Sequence, residues 1–220
     1  MPQLHYFPGN ASLIPHIVLE ELGVPFELKY VDRAVAAHKS AAYLALNPNG
    51  LIPVLVDTAL GSEAKPFVLY ETAAVALHLA DTHASAGLLP PLGSAERANA
   101  YKWLAWLTNT LQATLIVYFY PERWADDAAA IGQVKVHAEA KVGAMLDQLD
   151  AEFARVGGPW LLGPGYSLAD PYAFVLCRWT RGFGRPARER AHLTPWLERT
   201  LARPAVQRAF AQEGLMAPWF

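Results

Sequence analysis

YFPGNAS, at residues 6–12, lies between a strand-like segment, residues 4–6, and a helix-like segment, residues 13–22. A strand that enters a helix through a Pro-Gly turn directs the free N–H groups and the positive dipole end of that helix toward whatever lies above the turn. The stretch therefore predicts an anion-binding position, to which Asn10 adds an amide group and Ser12 a hydroxyl group. Ser12 has a second interpretation, as an ordinary helix N-cap.

The segments after this turn predict a βαβ unit. Residues 13–22 carry an apolar stripe at helical spacing, and residues 26–31 alternate between apolar and polar side chains as a strand does. Because the helix crosses over between them, the first two strands are predicted to be parallel. The other predicted elements of this α/β domain are strands at residues 52–56 and 67–70 and a helix at residues 71–81.

A second domain is predicted from the point where the strand pattern ends. Residues 83–93 are rich in glycine and proline and predict a linker. Apolar residues at helical spacing then predict an all-helical domain at residues 94–220. Its predicted helices are residues 95–118, 126–156, 172–179, 194–201 and 204–212. Ser167 and Asp170 stand three residues apart before the third of them, which predicts a structural capping box.

Composition and charge exclude several classes of function. The 220 residues are 53% apolar and carry a net charge of −2 without a Lys/Arg block, so neither nucleic acid nor a membrane surface is an expected partner. The first residues lack a signal-peptide pattern and no apolar run reaches about 20 residues, which predicts a cytoplasmic protein. The seven histidines lack ligand spacing, so no metal site is predicted. Cys177, the single cysteine, is predicted to be a buried, unreactive thiol.

Four separated motifs, in this order and spacing, resemble the cytosolic glutathione transferases. They are YFPGNAS at residues 6–12, NPNGLIPVL at residues 47–55, YET at residues 70–72 and SLAD at residues 167–170. The resemblance covers nearly the whole chain and implies a thioredoxin-like glutathione-binding domain at residues 1–82, a linker at 83–93 and an all-helical domain at 94–220. The opening turn is most similar to the bacterial beta class, but Ala11 occupies the position of the beta-class cysteine.

The resemblance implies a binding site for glutathione as co-substrate. It implies that Pro53 follows a cis peptide bond, although a trans bond is the ordinary expectation, and that the backbone of Ile52 pairs with the cysteinyl part of glutathione. Glu71 is implied to complement the γ-glutamyl ammonium, and Thr72 the adjacent carboxylate.

The glycyl end of glutathione is assigned to a pair of basic residues. By the same resemblance Lys39, together with His38, faces the glycyl carboxylate. A solvated surface role for this pair is an equally acceptable interpretation of the residues.

Activation of glutathione requires the thiolate form of its cysteine. A free thiol has a pKa of about 8.5, so only a few per cent is ionised at neutral pH. The resemblance implies that Ser12 donates a hydrogen bond to the thiolate and that Asn10 is a second donor or a residue that stabilises the turn. Ala11 excludes a mixed disulfide at its position, and Gln112 occupies the place of the beta-class histidine.

The electrophile is expected to bind between the two domains. Its candidate walls combine two residues of the opening turn with residues that recur every four positions on the first long helix, namely Tyr6, Phe7, Trp106, Thr110, Thr114 and Tyr118. An aromatic stripe at helical spacing fits core packing equally well, so both interpretations stay open.

The leading hypothesis is an enzyme that transfers the sulfur of glutathione to a small electrophile without a metal. One alternative is another glutathione-dependent activity, such as peroxide reduction, disulfide reduction or ether cleavage. The other is a non-catalytic glutathione-binding protein, since the cysteine and histidine positions are both changed. The resemblance also implies a two-fold homodimer, with the first domain of one subunit against the helical domain of the other.

Overall fold

The computed structural model describes residues 1–62 and 64–220 and divides them into two compact units. The first unit contains Met1–Leu88 and Ala202–Met216, and the second unit contains Leu89–Leu201 and Ala217–Phe220. The boundary after Leu88 falls inside the predicted linker. The segment Ala202–Met216 differs from the prediction that residues 94–220 form one domain, because its contacts are with the first unit.

The first unit is built on a four-stranded sheet. Its strands are β1 (Gln3–Tyr6), β2 (Glu27–Tyr30), β3 (Val54–Asp57) and β4 (Phe67–Tyr70), in the spatial order β2-β1-β3-β4. β1 and β2 are parallel, as predicted, and β3 is antiparallel to both β1 and β4. Side chains alternate across a strand, so Leu55 lies on one face of β3 while Val54 and Val56 join a buried cluster on the other.

Helices pack on this sheet or on one another and are stabilised by burial of apolar faces. The helices of the first unit are α1 (Leu13–Leu22), α2 (Ala41–Leu44), α3 (Thr72–Thr82) and the last helix of the chain, Pro204–Gln212. The apolar stripe of α1 is fully buried at Leu13, Ile14 and Ile17. Gly23 ends α1 at a φ of 63°, a left-handed conformation that glycine adopts without steric cost. Short 3₁₀ turns lie at Ala37–Lys39 and Ala84–Ala86.

The second unit is helical throughout its described secondary structure, apart from an isolated bridge between Trp160 and Gly163. Its helices are α4 (Ala95–Trp106), α5 (Ala113–Phe119), α6 (Ala128–Val156), α7 (Ala169–Trp179) and α8 (Leu193–Leu201), so that Pro204–Gln212 is α9; 3₁₀ turns lie at Pro121–Arg123 and Ala187–Glu189. The π-helical segment Leu107–Gln112 joins α4 to α5. The periodic segment predicted at residues 95–118 is therefore one helical stretch with a widened middle.

A buried carboxylate organises the start of α7. Asp170 accepts hydrogen bonds from the Ser167 N–H and hydroxyl at 2.9 and 3.0 Å, from the Leu161 N–H at 2.9 Å and from the Trp196 indole N–H at 3.0 Å. The carboxylate reaches back as in a capping box, but the Ser167 hydroxyl donates to Asp170 instead of accepting from a helix N–H. Burial raises the pKa of Asp170 to about 6, and these hydrogen bonds oppose the rise.

Two further predictions concern Cys177 and membrane association. Cys177 lies in α7 and is fully buried, which confirms the predicted burial. Burial raises the pKa of its thiol to about 12, which is consistent with a thiol of low reactivity. Within residues 1–62 and 64–220, no helix combines the length and the apolar character that crossing a bilayer requires.

Candidate functional site

The predicted glutathione-binding segments leave the sheet of the first unit at the same edge. His5 of β1 lies opposite Val54 of β3, which in turn lies opposite Tyr70 of β4. Tyr6, at the end of β1, lies beside Tyr30 at the end of β2. Four segments therefore begin or end along one edge, and they are residues 7–12, 31–39, 47–53 and 71–72. This convergence follows from the directions of the strands. β1, β2 and β4 run the same way and end at this edge, whereas β3 runs the opposite way and begins there.

Ser12 closes the opening turn. Its hydroxyl donates to the Phe7 carbonyl and accepts from the Phe7 N–H, both at 3.2 Å, and the residue is fully buried. Ser12 occupies the N-cap position of α1, but its side chain makes no capping bond. The single hydrogen of the hydroxyl is thus directed at the backbone of the turn.

Asn10 presents an amide group at the N-terminal end of α1. Its side-chain oxygen accepts from the N–H of Ala11, and the residue is half-buried. The side-chain nitrogen has no acceptor in the part of the chain that the structure describes. An amide donor beside a helix N-terminus is an arrangement that favours an anion.

The loop before β3 holds one backbone N–H group in a fixed direction. The Leu51 carbonyl accepts from the Tyr43 hydroxyl and from the Asn47 side-chain nitrogen, both at 2.9 Å. The C=O and N–H of a trans peptide point in opposite directions, so the N–H of Ile52 points away from Tyr43 and Asn47. The next peptide bond, Ile52–Pro53, is cis. Sequence reasoning did not assign a role to Tyr43, whose contact with Leu51 depends on the folded loop.

Glu71 and Thr72 lie where β4 passes into α3. Glu71 has φ 73° and ψ 117°, and a non-glycine residue at such a φ is strained by about 1–3 kcal/mol. Strain of this kind concentrates at binding sites. The Glu71 side chain is exposed, and it has no partner within residues 1–62 and 64–220. Thr72 is the first residue of α3, so its N–H is one of the free donors of the helix N-terminus.

Lys39 and His38 differ in charge. Lys39 is exposed, and its ammonium group donates to the Asn49 carbonyl at 3.3 Å. Burial, together with the nearby charges of Arg33 and Lys39, lowers the pKa of His38, so His38 is neutral at pH 7. Lys39 therefore supplies the positive charge of the pair, while His38 can only donate or accept a hydrogen bond.

Gly50 keeps this loop close to the basic pair. A Cβ atom at Gly50 would lie 2.8 Å from both the His38 carbonyl and the Lys39 ammonium nitrogen, and its φ is 60°. The Lys39 side chain could move aside, but the backbone carbonyl of His38 could not, so any larger residue would push this loop away from residue 38. The glycine of the NPNG motif is thus required by the close approach of two segments.

Comparison with known proteins identifies the family. Models of the glutathione S-transferase N-terminal and C-terminal domains match residues 11–82 and 109–204. The chain belongs to the glutathione S-transferase family. It is 33% identical to glutathione S-transferase GST-4.5 of Xanthomonas campestris, with 97% of this chain and 99% of that protein covered.

Solved structures of glutathione transferases share this fold. A glutathione transferase homolog from Sulfitobacter with bound glutathione has a TM-score of 0.85 and 29% identity, covering 98% of this chain and 99% of that one. The beta-class glutathione S-transferase of Sphingomonas chungbukensis has a TM-score of 0.80 and 29% identity, covering 97% and 100%. The predicted family and fold are therefore confirmed.

The residues proposed as walls for the electrophile of this glutathione transferase have packing partners of their own. In the first unit, Phe7 stacks on Tyr30 with ring centres 6.0 Å apart, and Tyr6 lies edge-on to the same ring at 5.9 Å. All of the wall residues are half-buried, so each combines packing with remaining exposed surface. Their role in one pocket stays a prediction.

The helical wall residues are likewise partly committed to packing in the second unit. Trp106 lies edge-on to Trp103 at 5.2 Å, and the Thr114 hydroxyl donates to the Thr110 carbonyl at 2.8 Å. Tyr118 packs on Phe183 with ring centres 4.3 Å apart.

The structure also bears on Gln112 and on the possibility of a metal site. Gln112, which the resemblance aligns with the beta-class histidine, accepts a hydrogen bond from the buried Tyr172 hydroxyl at 2.7 Å. Among the described residues, no group of three or more His, Cys, Asp or Glu side chains lies close enough to hold a metal ion.

Sequence reasoning missed two residues next to the opening turn. Glu213 follows α9, and its carboxylate accepts from the Gly9 N–H at 2.7 Å and contacts the ring of His16 at 2.8 Å. Glu213 lies 204 positions from Gly9 in the chain, so no local pattern could have indicated the contact.

Proposed function

We propose that this protein ionises the thiol of glutathione and transfers the sulfur to a small electrophilic substrate. The observation that supports the proposal is the convergence of four segments at one edge of the sheet, each with a group that complements one part of glutathione. Glutathione has an ammonium and a carboxylate at its γ-glutamyl end, a thiol in the middle and a carboxylate at its glycyl end. The site offers groups of matching charge for each.

Glutathione is held by both side chains and backbone in this proposal. Glu71 binds the γ-glutamyl ammonium, and the Thr72 N–H and hydroxyl bind the adjacent carboxylate at the N-terminus of α3. Ile52 pairs through its backbone with the cysteinyl residue, in the manner of an added strand, next to Pro53. Lys39 attracts the glycyl carboxylate by its charge.

His38 completes the glycyl end of the proposed site. Because His38 is neutral at pH 7, its contribution there is a hydrogen bond and not an ion pair. Of the two basic residues, only Lys39 is expected to make binding depend on salt concentration.

Thiol activation is assigned to the opening turn. Lowering the thiol pKa by one unit requires about 1.4 kcal/mol of preferential stabilisation of the thiolate. The dipole end of α1 and one neutral donor together supply stabilisation of this order. The proton of the thiol passes to solvent, and the thiolate sulfur forms a bond to an electrophilic carbon of the substrate. At the same time that carbon loses its bond to a leaving group, which departs as an anion, or an activated double bond opens and the resulting carbanion takes a proton from solvent.

Asn10 is the side-chain donor that the geometry favours. Among the residues that the structure describes, its amide nitrogen has no acceptor, whereas the hydroxyl hydrogen of Ser12 is directed at the Phe7 carbonyl. We therefore propose Asn10 as the donor to the thiolate and Ser12 as the residue that shapes the turn. The assignment of Ser12 as the donor, which the resemblance implies, is the alternative that paired substitutions distinguish.

The proposal is tested by the ultraviolet absorbance of the thiolate when glutathione is added to the protein. We expect a thiolate band at neutral pH and a titration midpoint below the value of free glutathione. Glutathione that binds but titrates as it does in water would contradict activation and support the non-catalytic alternative.

Replacing Glu71 with alanine is expected to weaken glutathione binding about tenfold to a hundredfold, because a charge-assisted contact is worth about 1.5–3 kcal/mol. Isothermal titration calorimetry measures the change. Glu96→Ala is the matched control, since Glu96 is likewise an exposed carboxylate near the N-terminal end of a helix, in the first turn of α4. Equal affinities for the Glu71 and Glu96 variants would refute the assignment.

The acceptor site and the assembly belong to the same proposal. Tyr6, Phe7, Trp106, Thr110, Thr114 and Tyr118 are proposed to contact the electrophile. A screen against electrophiles, peroxides and disulfides separates transfer from the other glutathione-dependent reactions.

We also propose a cytoplasmic location, a two-fold homodimer and a role in detoxification of electrophiles, as the family resemblance implies.

A further inference from the structure

A buried carboxylate holds the turn that carries Asn10. Glu213 accepts a hydrogen bond from the Gly9 N–H at 2.7 Å, and its other oxygen lies 2.8 Å from Nδ1 of His16. Both side chains are fully buried. Gly9 precedes Asn10 directly, so the contact with Glu213 restrains the backbone from which the proposed sulfur donor extends.

The second ring nitrogen of His16 also has a partner. Nε2 of His16 lies 2.7 Å from the side-chain oxygen of Gln212, whose side-chain nitrogen donates to Glu20 at 2.7 Å. A carboxylate such as Glu20 only accepts, so the nitrogen of Gln212 faces Glu20 and its oxygen faces His16. Nε2 of His16 therefore carries a hydrogen.

The pair formed by His16 and Glu213 is neutral overall. With a hydrogen on Nε2, one further proton lies between Nδ1 of His16 and the carboxylate of Glu213. Wherever that proton resides, the two side chains together carry no net charge. His16 thus cancels the negative charge that Glu213 brings into the interior.

Contacts at the start and in the middle of α9 hold this helix against α1, which keeps Glu213 in place. Arg203 makes a two-pronged ion pair with Glu21 at 2.5 and 2.8 Å. Arg208 donates to the carboxylate of Glu20 at 2.5 Å and to its carbonyl at 2.9 Å. These contacts position the helix that delivers Glu213 to the opening turn.

An uncompensated charge on Glu213 would oppose thiolate formation. Burial raises the pKa of Tyr6, and the charge of the Glu213 carboxylate raises it further. A negative charge on Glu213 therefore acts on groups at the end of β1, where the opening turn begins. The groups that face His16 are Tyr6 and Phe26, at ring distances of 6.3 and 5.6 Å, together with Gln212 and Glu213. Of these four, only Glu213 brings a carboxylate to the ring.

We infer that Glu213 and His16 form a positioning pair for sulfur activation. Glu213 holds Gly9, and with it Asn10, at the N-terminus of α1, while His16 neutralises the charge of Glu213 so that the bound sulfur can ionise. This inference rests on the proposed function, since it concerns the same thiolate. It adds two residues that do not contact glutathione in this scheme and act through the turn.

A double-substitution cycle tests the pair through the pKa of the bound thiol. His16→Asn keeps a donor near the position of Nδ1 but cannot hold the proton that compensates the negative charge of Glu213. We therefore expect the thiol pKa to rise by about one unit. Glu213→Gln keeps an oxygen for the Gly9 N–H and is expected to leave the thiol pKa nearly unchanged. Combining Glu213→Gln with His16→Asn is expected to return the thiol pKa to near the wild-type value.

The cycle distinguishes charge compensation from ordinary packing. If His16 and Glu213 only packed the core, the effects of the two substitutions on the thiol pKa would add. The double variant would then show no recovery of the thiol pKa, and this result would overturn the inference. A wild-type protein without a thiolate band would instead refute the proposed function, so the two failures are distinguishable.

A second comparison keeps the inference testable if His16→Asn fails to fold. Glu213→Ala removes the tether of Gly9, and we expect kcat to fall about tenfold with little change in KM for glutathione. Glu213→Gln is expected to restore most of this loss, because its amide oxygen still accepts from Gly9. Equal activity of the alanine and glutamine variants would contradict the tether.

Discussion

Replacing Asp170 with alanine is expected to lower the free energy of unfolding by about 3–5 kcal/mol. The substitution leaves four buried donors without their acceptor, on Leu161, Ser167 and Trp196. Each buried donor without a partner costs about 1–3 kcal/mol, reduced where the chain relaxes. Urea unfolding followed by circular dichroism measures the difference.

Asp127 provides the matched control for Asp170. It caps α6 by accepting from the N–H groups of Ala129 and Ala130 at 3.0 and 2.9 Å, but it is exposed to solvent. Asp127→Ala is therefore expected to cost only about 1 kcal/mol. If Asp170→Ala costs no more than Asp127→Ala, the buried network does not stabilise the second unit as described.

Replacing Asn10 with alanine is expected to reduce kcat for conjugation by about tenfold to a hundredfold, with a smaller change in KM for glutathione. In other enzymes, removing one hydrogen-bond donor to an anion that forms during the reaction lowers kcat by about a hundredfold to a thousandfold. The pKa of the bound thiol should rise in parallel, since the lost hydrogen bond stabilised its ionised form. Steady-state kinetics and ultraviolet titration give both quantities.

Ser12→Ala is the companion substitution to Asn10→Ala. Loss of the two contacts with Phe7 is expected to destabilise the protein by about 1–3 kcal/mol while leaving the thiol pKa close to wild type. The opposite pattern, a raised thiol pKa in the Ser12 variant and an unchanged one in the Asn10 variant, would return the donor role to Ser12.

Local patterns in the sequence determined the elements of this protein and the family to which it belongs. The apolar stripe of residues 13–22 predicts α1, whose bounds are Leu13–Leu22, because helix periodicity repeats within a few residues. The parallel pairing of β1 and β2 follows from the helix between them, since a crossover imposes the direction of the second strand. The four motifs mark turns and helix starts whose residue types are set by local backbone geometry. The motifs can therefore be recognised without a structure.

Only the tertiary structure decided how the side chains at the opening turn divide their roles. The sequence places Asn10 and Ser12 side by side but does not show that the Ser12 hydroxyl turns inward to Phe7. Glu213 reaches Gly9 across 204 positions because α9 returns to pack on α1, against the prediction that placed it in the helical domain. Contacts of this range depend on how helices and strands pack, and no pattern confined to neighbouring residues encodes them.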